Sequence, residues 1–455
     1  MAREMFLNAL DMNCASFLAQ GIWRHPRDRS VEFNTMRYWL DYARLLEAGK
    51  FDALFQADTI GVYDVYGGNK DAAITRAVQV PENDPVMVVP AMAAVTEHLC
   101  FGTTGNLLYE PPYMFARRIS TLDHLTGGRI AWNVVTGILN SGARAAGRDA
   151  MPAHDERYDM AEEYLDLMYK LWEGSWDDDA VVADRAAGIY ADPAKVHEVH
   201  HRGTHYRLDG AHMSQPSPQR TPVIFQAGAS ARGAAFAAKH SECIFINGPV
   251  PAVMKQKIAE TRAQAATFGR DPADIKFFAG LSVIVAKTES AARARYEEYR
   301  KYATVDAVLC HVSASLNIDL AKYPLDEPIA YQKTDANQTA MEALTQRKDR
   351  VFTVRQVAEE MAVSGRNLLL VGSPEQVANT MIEWVDMGGI DGFNLARLVM
   401  PGSVEEFVEL VVPILQSRGY YKKAYTPGTM REKLGGGPRL PATHPAAAFR
   451  NGNVK

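Results

Sequence analysis

LDMNCASFLAQGIWRHP, residues 10–26, follows the first short apolar run, 5–9, and its reading decides between two α/β architectures. An open, doubly wound sheet that binds a dinucleotide passes from its first strand into a helix through GxGxxG, where the backbone must approach a pyrophosphate. This stretch holds a single glycine, Gly21, and then Trp23, Arg24, His25 and Pro26. Beyond it the same unit recurs. Apolar runs at 53–55, 100–104, 129–135, 222–226, 243–246, 275–285 and 392–395 follow or precede amphipathic stretches at 35–48, 85–98, 113–125, 160–173, 230–239, 252–268, 290–302, 374–387 and 404–418. Strands separated by helices require crossovers and pair in parallel. About eight such units suit a closed ring better than an open sheet. The expectation is α/β: one (β/α)8 TIM barrel over residues 1–425.

Surplus length falls in four connections, near 59–84, 136–154, 175–213 and 304–351, each longer than an ordinary loop. Barrel enzymes build their sites from loops at the C-terminal face, so long insertions are expected there. Within 175–213, VHEVHHRGTHYRL (196–208) gathers His197, His200, His201 and His205 without the i, i+4 pairing of a zincin helix. It reads as a surface hairpin, and no metal site is expected. Residues 426–455, rich in Gly and Pro, read as an extended C-terminal arm that packs on a neighbour or stays mobile.

The composition excludes whole classes. Of 455 residues, 47% are hydrophobic and 23% charged, a globular profile with no disordered or low-complexity character. A formal charge of −5 without a basic run gives no reason for a nucleic-acid partner. Cys14, Cys100, Cys243 and Cys310 form no CxxC pair, which points to a reducing compartment. Glu4 and Asp11 interrupt the N-terminus where a signal peptide would be apolar, and no window reaches a membrane span. A cytoplasmic, soluble protein is expected.

Five segments carry chemistry-bearing side chains. GKFDALFQAD (49–58) ends a buried strand on Asp58, placed to bond a ligand or to tether a loop. RIAWNVVT (129–136) puts Asn133 and Thr136 near another strand end, where small polar groups meet the edge of a flat heterocycle or satisfy backbone. AHDERYD (153–159) sets His154 and Tyr158 four apart at a helix start, with Asp155 as an alternative cap. QAGASARG (226–233) follows a strand and opens a helix. Its free N–H groups and Ser230 hydroxyl make a phosphate site, or simply a Ser-capped helix after a Gly turn. After strand one, Cys14 and His25 are candidate catalytic groups, although a buried, unreactive cysteine is the commoner case. GASARG lacks the GxSxG spacing of a serine hydrolase, and no His-x-His marks a metal-dependent barrel on strand one.

Together LNALDMNC (7–14), GIWRHP (21–26), GKFDALFQAD (49–58), DPVMVVPAMAAVTEHL (84–99), RRISTLDHLTGGRIAWNVVT (117–136), HDERYDMAEEYLDLMYKLWEGSW (154–176), DPAKVHEVHHRG (192–203), QPSPQRTPVIFQAGASARG (215–233), GIDGFNL (389–395) and ELVVPILQSRGYY (409–421) carry a family resemblance. The chain resembles the bacterial-luciferase-like flavin-dependent monooxygenases. Its likeness is to the branch with nitrilotriacetate, dibenzothiophene-sulfone and, most strongly, long-chain alkane monooxygenases. That resemblance implies a homodimer, or a dimer of dimers, using FMN as FMNH2 supplied by a separate NAD(P)H:flavin reductase. It implies reaction with O2 through a flavin C4a-(hydro)peroxide to oxygenate an organic substrate. Asp58, Thr104, His154, Tyr158, Gly228, Ala229 and Ser230 match the flavin-binding pattern, with Asn133 and Thr136 in a matching string. A deazaflavin-dependent oxidoreductase and a non-catalytic flavin-binding protein of the same fold are the alternatives.

The chain departs from the alkane enzymes where a histidine is replaced by Ile138, and where Gly105 and Asn106 replace bulkier or hydroxylated residues. Gly105, Asn106, Gly137 and Ile138 are therefore expected to line a roomier substrate pocket. An apolar substrate is expected, alkane-like or a bulkier aromatic, sulfur- or halogen-bearing compound. The insertions 59–84, 136–154 and 304–351 are the expected lid.

Overall fold

A computed structural model describes residues 3–228, 230–331, 341, 344–345 and 352–454. Eight parallel strands close a barrel: β1 (Phe6–Met12), β2 (Ala53–Ala57), β3 (Cys100–Asn106), β4 (Ile130–Val135), β9 (Val223–Gln226), β10 (Cys243–Ile246), β11 (Lys276–Val285) and β13 (Gly392–Ala396). Each pairs with the next around the ring, β10 joins β11, and β13 returns to β1 with Phe6 opposite Gly392. All eight apolar runs expected to be strands are here. They are buried along almost their whole length, as strands covered on both faces must be. Inside the ring Asn8 of β1 donates to Asn394 of β13 (2.9 Å), so polar side chains pair across neighbouring strands.

The helices start where their caps place them. Thr35 accepts from the Tyr38 N–H at the head of Met36–Ala48, and Ser373 closes a capping box on Pro374–Gly388. Two expected helices are broken, and proline is the reason in both. The stretch 404–418 is split into Gly402–Leu410 and Val412–Ser417 ahead of Pro413, which offers no N–H to a continuing helix. The stretch 85–98 is a 3-10 turn, Pro85–Val88, followed by Val89–Ala93 with Pro90 in its first turn. A strand absent from the sequence reading, β12 (Leu368–Gly372), pairs with the far half of β11 at Leu281–Val285. It lies outside the closed ring and extends the β11 edge beyond the C-terminal rim.

The insertion 175–213 departs from the expected placement. It joins the end of the helix His154–Tyr169 and its π-turn extension Lys170–Gly174 to the start of β9, so it leaves from the N-terminal end of the barrel, and its Tyr206 reaches back to the Leu107 carbonyl just past β3 (3.3 Å). It forms two antiparallel pairs: β5 (Val181–Asp184) with β6 (Ile189–Ala191), and β7 (Val199–Arg202) with β8 (Arg207–Gly210). The second pair is the hairpin expected from VHEVHHRGTHYRL. His201 meets Glu163 (3.0 Å), His200 meets Asp209 (3.0 Å) and His197 meets Asp177 (2.9 Å), each a separate carboxylate.

The final residues pack on their own barrel. Met430 and Leu434 share an apolar cluster with Phe6, Ala53, Cys100, Ala131, Val223 and Cys243, residues at the strand starts. Arg431 bonds Glu242 (2.6 Å) and the Thr221 carbonyl (2.7 Å), while Arg439 and Arg450 both reach Glu173 (2.9 Å). Among the described residues no helix is long and apolar enough to cross a membrane.

Candidate functional site

Three strand ends and one helix start converge at the C-terminal end of the barrel. Ser230 is the N-cap of the helix Ala231–His240, and its Oγ accepts from the Gly233 N–H (3.0 Å). His154 Nε2 lies 3.2 Å from the same Oγ, while its Nδ1 meets Asp155 (2.8 Å). Tyr158, one turn further along the His154 helix, bonds Ser230 and Gln226 through its hydroxyl, and burial pushes its pKa up. The backbone can come this close only because it lacks side chains. A Cβ on Gly233 would lie 2.5 Å from the Tyr158 hydroxyl, and one on Gly228 would lie 2.7 Å from the Gly233 Cα. Among the described residues, the first-turn N–H groups of Ala231 and Arg232 find no acceptor. A helix N-terminus with free N–H groups, a hydroxyl and an imidazole is a receptor for a phosphate. Ala229, expected in this cradle, lies outside the described residues.

Across the neighbouring strands the polar groups form a relay. Asn133 Nδ2 donates to Thr104 Oγ1 (2.9 Å), and Thr104 donates to the Gln56 carbonyl (2.8 Å). Asn133 Oδ1 and both side-chain atoms of Gln56 are buried without a partner. Buried amides without partners are rare and expensive, and a ligand rich in ring N–H and C=O groups would satisfy them. Thr136 stands half-buried just after β4.

Asp58, two residues beyond Gln56, is bonded to Glu82 from the 59–84 insertion. Burial, with Asp84 nearby, pushes Asp58 up to about 6. Burial and the Asp58 charge push Glu82 further, to about 10. The pair therefore shares one proton at neutral pH, with Glu82 the donor.

The insertions 59–84, 136–154 and 304–351 meet one another. Tyr63, Ala73 and Val78 of the first, Leu139 of the second, and Ala307, Cys310 and Ala314 of the third form one apolar cluster. Arg76 pairs with Asp306 (2.8 Å), and Ser141 donates to the Val62 carbonyl (2.6 Å). Residues 332–340, 342–343 and 346–351 of the third insertion lie outside the described residues. This cluster brings in side chains the sequence reading missed. Tyr63 donates to Gln79 Oε1, and Gln79 donates to the Phe17 carbonyl (3.1 Å) and to His311 Nε2 (3.4 Å). Burial, then the charge of Arg366, pushes His311 down to about 4, so its imidazole is neutral at pH 7. One sequence signal was available: His311 interrupts VDAVLCHVSASL, an otherwise largely apolar helix.

Several expected roles change. His25 is a buried structural group. Its Nε2 meets Glu298 (3.1 Å), its Nδ1 accepts from the Arg27 N–H (3.1 Å), and its ring packs on Tyr299 and Tyr302. It anchors the loop after β1 to the helix Glu289–Arg300. Cys14 is buried and donates to the Ser16 carbonyl (2.9 Å), and burial pushes its thiol well up, so a reactive thiolate is not formed. Gly105 makes no pocket space. A Cβ there would lie 2.7 Å from Phe115 and from the Trp132 indole nitrogen, so the absent side chain admits the outer helix layer. Asn106 turns its Oδ1 to the Leu108 N–H (3.1 Å), and its Nδ2 lies 3.0 Å from where a Gly137 Cβ would be. Gly137 has φ +74° and its carbonyl accepts from Arg157. Ile138 is 40% exposed beside Leu139 of the insertion cluster.

The family profile described as luciferase-like monooxygenase matches residues 12–390. The chain belongs to that family. This luciferase-like monooxygenase is 48% identical over 457 residues to the dimethyl-sulfide monooxygenase of Hyphomicrobium sulfonivorans, spanning 100% of this chain and 95% of that protein. A crystal structure from the same organism superposes with a TM-score of 0.93 over 99% of this chain and 97% of the other. It is 46% identical over 455 residues to the long-chain alkane monooxygenase of Geobacillus thermodenitrificans, spanning 99% of each. A riboflavin lyase crystallised with modified FMN and riboflavin shares 36% identity and a TM-score of 0.92 over 98% of this chain and 100% of the other. The protein is thus a flavin-dependent monooxygenase on a (β/α)8 barrel.

Proposed function

We propose that this enzyme binds FMNH2 delivered by a separate NAD(P)H:flavin reductase and uses O2 to oxygenate an apolar or sulfur-bearing organic substrate. The carrying observation is the cradle of Ser230, His154, Tyr158 and the helix start, whose donors suit a single phosphate. In this reading the unpartnered amides of Gln56 and Asn133, with Asp58, Thr104 and Thr136, meet the flavin ring. Bound reduced flavin supplies the activation of O2. The protein holds the phosphate, orients the ring and, through the packed insertions, keeps water from the reacting atoms. Cytoplasmic location and a homodimer or dimer of dimers belong to the same proposal.

Removing a hydrogen bond to a charged phosphate costs about 1.5–3 kcal/mol. Ser230→Ala is therefore expected to weaken FMN binding by roughly tenfold or more in a fluorescence titration. Unchanged affinity would remove the helix start from the phosphate site. With reduced FMN and 18O2, one labelled oxygen atom is expected in the product. Tight deazaflavin binding without label incorporation would favour the oxidoreductase alternative.

Dimethyl sulfide and long-chain alkanes, the substrates named for two relatives, differ greatly in size. In this reading Ile138 is one of the side chains that distinguish between such substrates. Ile138→His, which puts a polar ring in an apolar lining, is expected to lower kcat/KM for the preferred substrate about tenfold. Equal kcat/KM across a panel of sulfides, aromatics and alkanes would take Ile138 out of the pocket.

A further inference from the structure

Among the described residues, Arg366 is a feature of the mouth that an apolar substrate leaves unexplained. It stands at the end of the turn that leads into β12, at the rim of the barrel. Two neighbours fix that position. A Cβ on Gly365 would lie 3.3 Å from Leu18 in the loop after β1, and Asn367 Oδ1 lies 2.3 Å from where a Gly280 Cβ would be. Gly280 is also bonded by Asn247, the residue that follows β10. The Arg366 segment is therefore wedged between the β1 loop and the ends of β10 and β11.

Arg366 as a residue is exposed to water, and yet desolvation of its charged end pushes its pKa down. Both hold for a side chain standing in a recess, wetted but walled by protein. Its charge also acts on His311, which belongs to the Tyr63–Gln79–His311 group above the strand ends. Among the described residues Arg366 has no ion pair and no side-chain hydrogen bond. The other arginines near the mouth are engaged: Arg157 donates to the Gly137 carbonyl, Arg148 to the Leu108 carbonyl (3.3 Å) and Arg76 to Asp306 (2.8 Å). An arginine presents five donors in a fork suited to a carboxylate or sulfonate. Leaving that fork partly desolvated and unpaired stabilises nothing in the folded chain. The flavin phosphate is an unsuitable partner, because its cradle lies at β9 and Arg366 arrives beside β11.

From this placement we infer that Arg366 binds an anionic group on the substrate, a carboxylate or sulfonate carried at one end of the otherwise apolar or sulfur-bearing molecule. The inference rests on the proposed function in one respect, that this mouth admits substrate. It adds a charged anchor that leaves the apolar part to be placed over the flavin site. Arg366 is a specificity residue in this scheme, and it takes no part in oxygen transfer.

The test is equilibrium binding of octanoate, octane-1-sulfonate and octan-1-ol to the protein, with and without FMN. The anions are expected to bind at least tenfold more tightly than the alcohol. Arg366→Gln is expected to reduce that preference to less than threefold, and Arg366→Lys to keep part of it. Because Arg366 has no partner to lose among the described residues, Arg366→Gln should melt within a degree or two of the parent and bind FMN unchanged. Equal binding of acid and alcohol by the parent would overturn the inference, as would a preference that survives in Arg366→Gln. A fall in FMN affinity in Arg366→Gln without an anion preference would also overturn it, by assigning the arginine to the cofactor. Failure of the function itself reads differently: no FMN binding and no labelled product, with an Arg366-dependent anion preference still present.

Discussion

Arg397→Met is expected to cost the folded protein about 3–5 kcal/mol, the range for stripping one partner from a buried ion pair. Arg397 follows β13 directly and is completely enclosed. Its Nε bonds Asp11 of β1, which has no exposed surface, and its Nη2 donates to the Cys14 carbonyl (2.7 Å). It therefore ties the last strand of the barrel to the first, and to the loop that carries Cys14 and Phe17. Burial pushes the Asp11 carboxyl up, and the Arg397 charge pulls it back down. Without Arg397 the carboxylate would be stranded or forced to take up a proton. Asp28, which accepts from the Met400 N–H (2.7 Å), would lose the same compensating charge. Urea denaturation measures the loss, and Asp11→Asn combined with Arg397→Met should recover the part due to Asp11, because the neutral pair strands no charge there and only the loss at Asp28 remains. A single variant within 1 kcal/mol of the parent would show that the pair is not a closing element.

The barrel was legible because its signal is periodic and local. Runs such as AWNVV and VIFQ, buried on both faces, can only be interior strands once helices separate them. The helix start was legible for the same reason: Ser230 caps the helix directly, with Gly228 and Gly233 within a few residues of it. What stayed hidden depends on contacts between distant segments. Tyr63 and Gln79 lie in one insertion, His311 in another and Arg366 in the turn before β12, and only the closed ring brings them to one mouth. His25 misled for the converse reason. A histidine after the first strand looks available until the helix Glu289–Arg300 supplies Glu298, Tyr299 and the adjacent Tyr302 around it. Gly105 misled because its position in a strand says nothing about which face it turns, and Phe115 and Trp132 occupy the space where its side chain would go.

Glu82→Gln should make the protein more stable than the parent at alkaline pH, with the difference growing as pH rises. Both carboxyls of the Asp58–Glu82 pair have pKa values raised in the folded state, Asp58 to about 6 and Glu82 to about 10. The unfolded chain releases both protons near pH 4–4.5. Above that range the folded protein holds more protons than the unfolded one, so its stability falls as pH rises, at about 1.4 kcal/mol per pH unit for each proton retained. Asp58 contributes to this fall only up to about pH 6, while Glu82 continues to about pH 10. Between pH 7 and 9 the Glu82 proton alone therefore accounts for about 3 kcal/mol. Glutamine keeps a donor for Asp58 and has no proton to lose, so the variant's stability curve should be flatter by that slope. Below pH 4 the two proteins should coincide, because there the parent's Glu82 is protonated in both states. Denaturation midpoints across pH 5–9 would show the two curves diverging. Parallel curves would mean that Glu82 ionises normally, and Asp58 would then face the mouth beside a second full charge. That arrangement would place two repelling carboxylates where an electron-rich reduced flavin is proposed to bind, so the shared proton also bears on cofactor affinity. Above pH 7, where Asp58 is already ionised, flavin titrations of Glu82→Gln should give a constant Kd, whereas the parent should bind more weakly as the Glu82 proton leaves near pH 10.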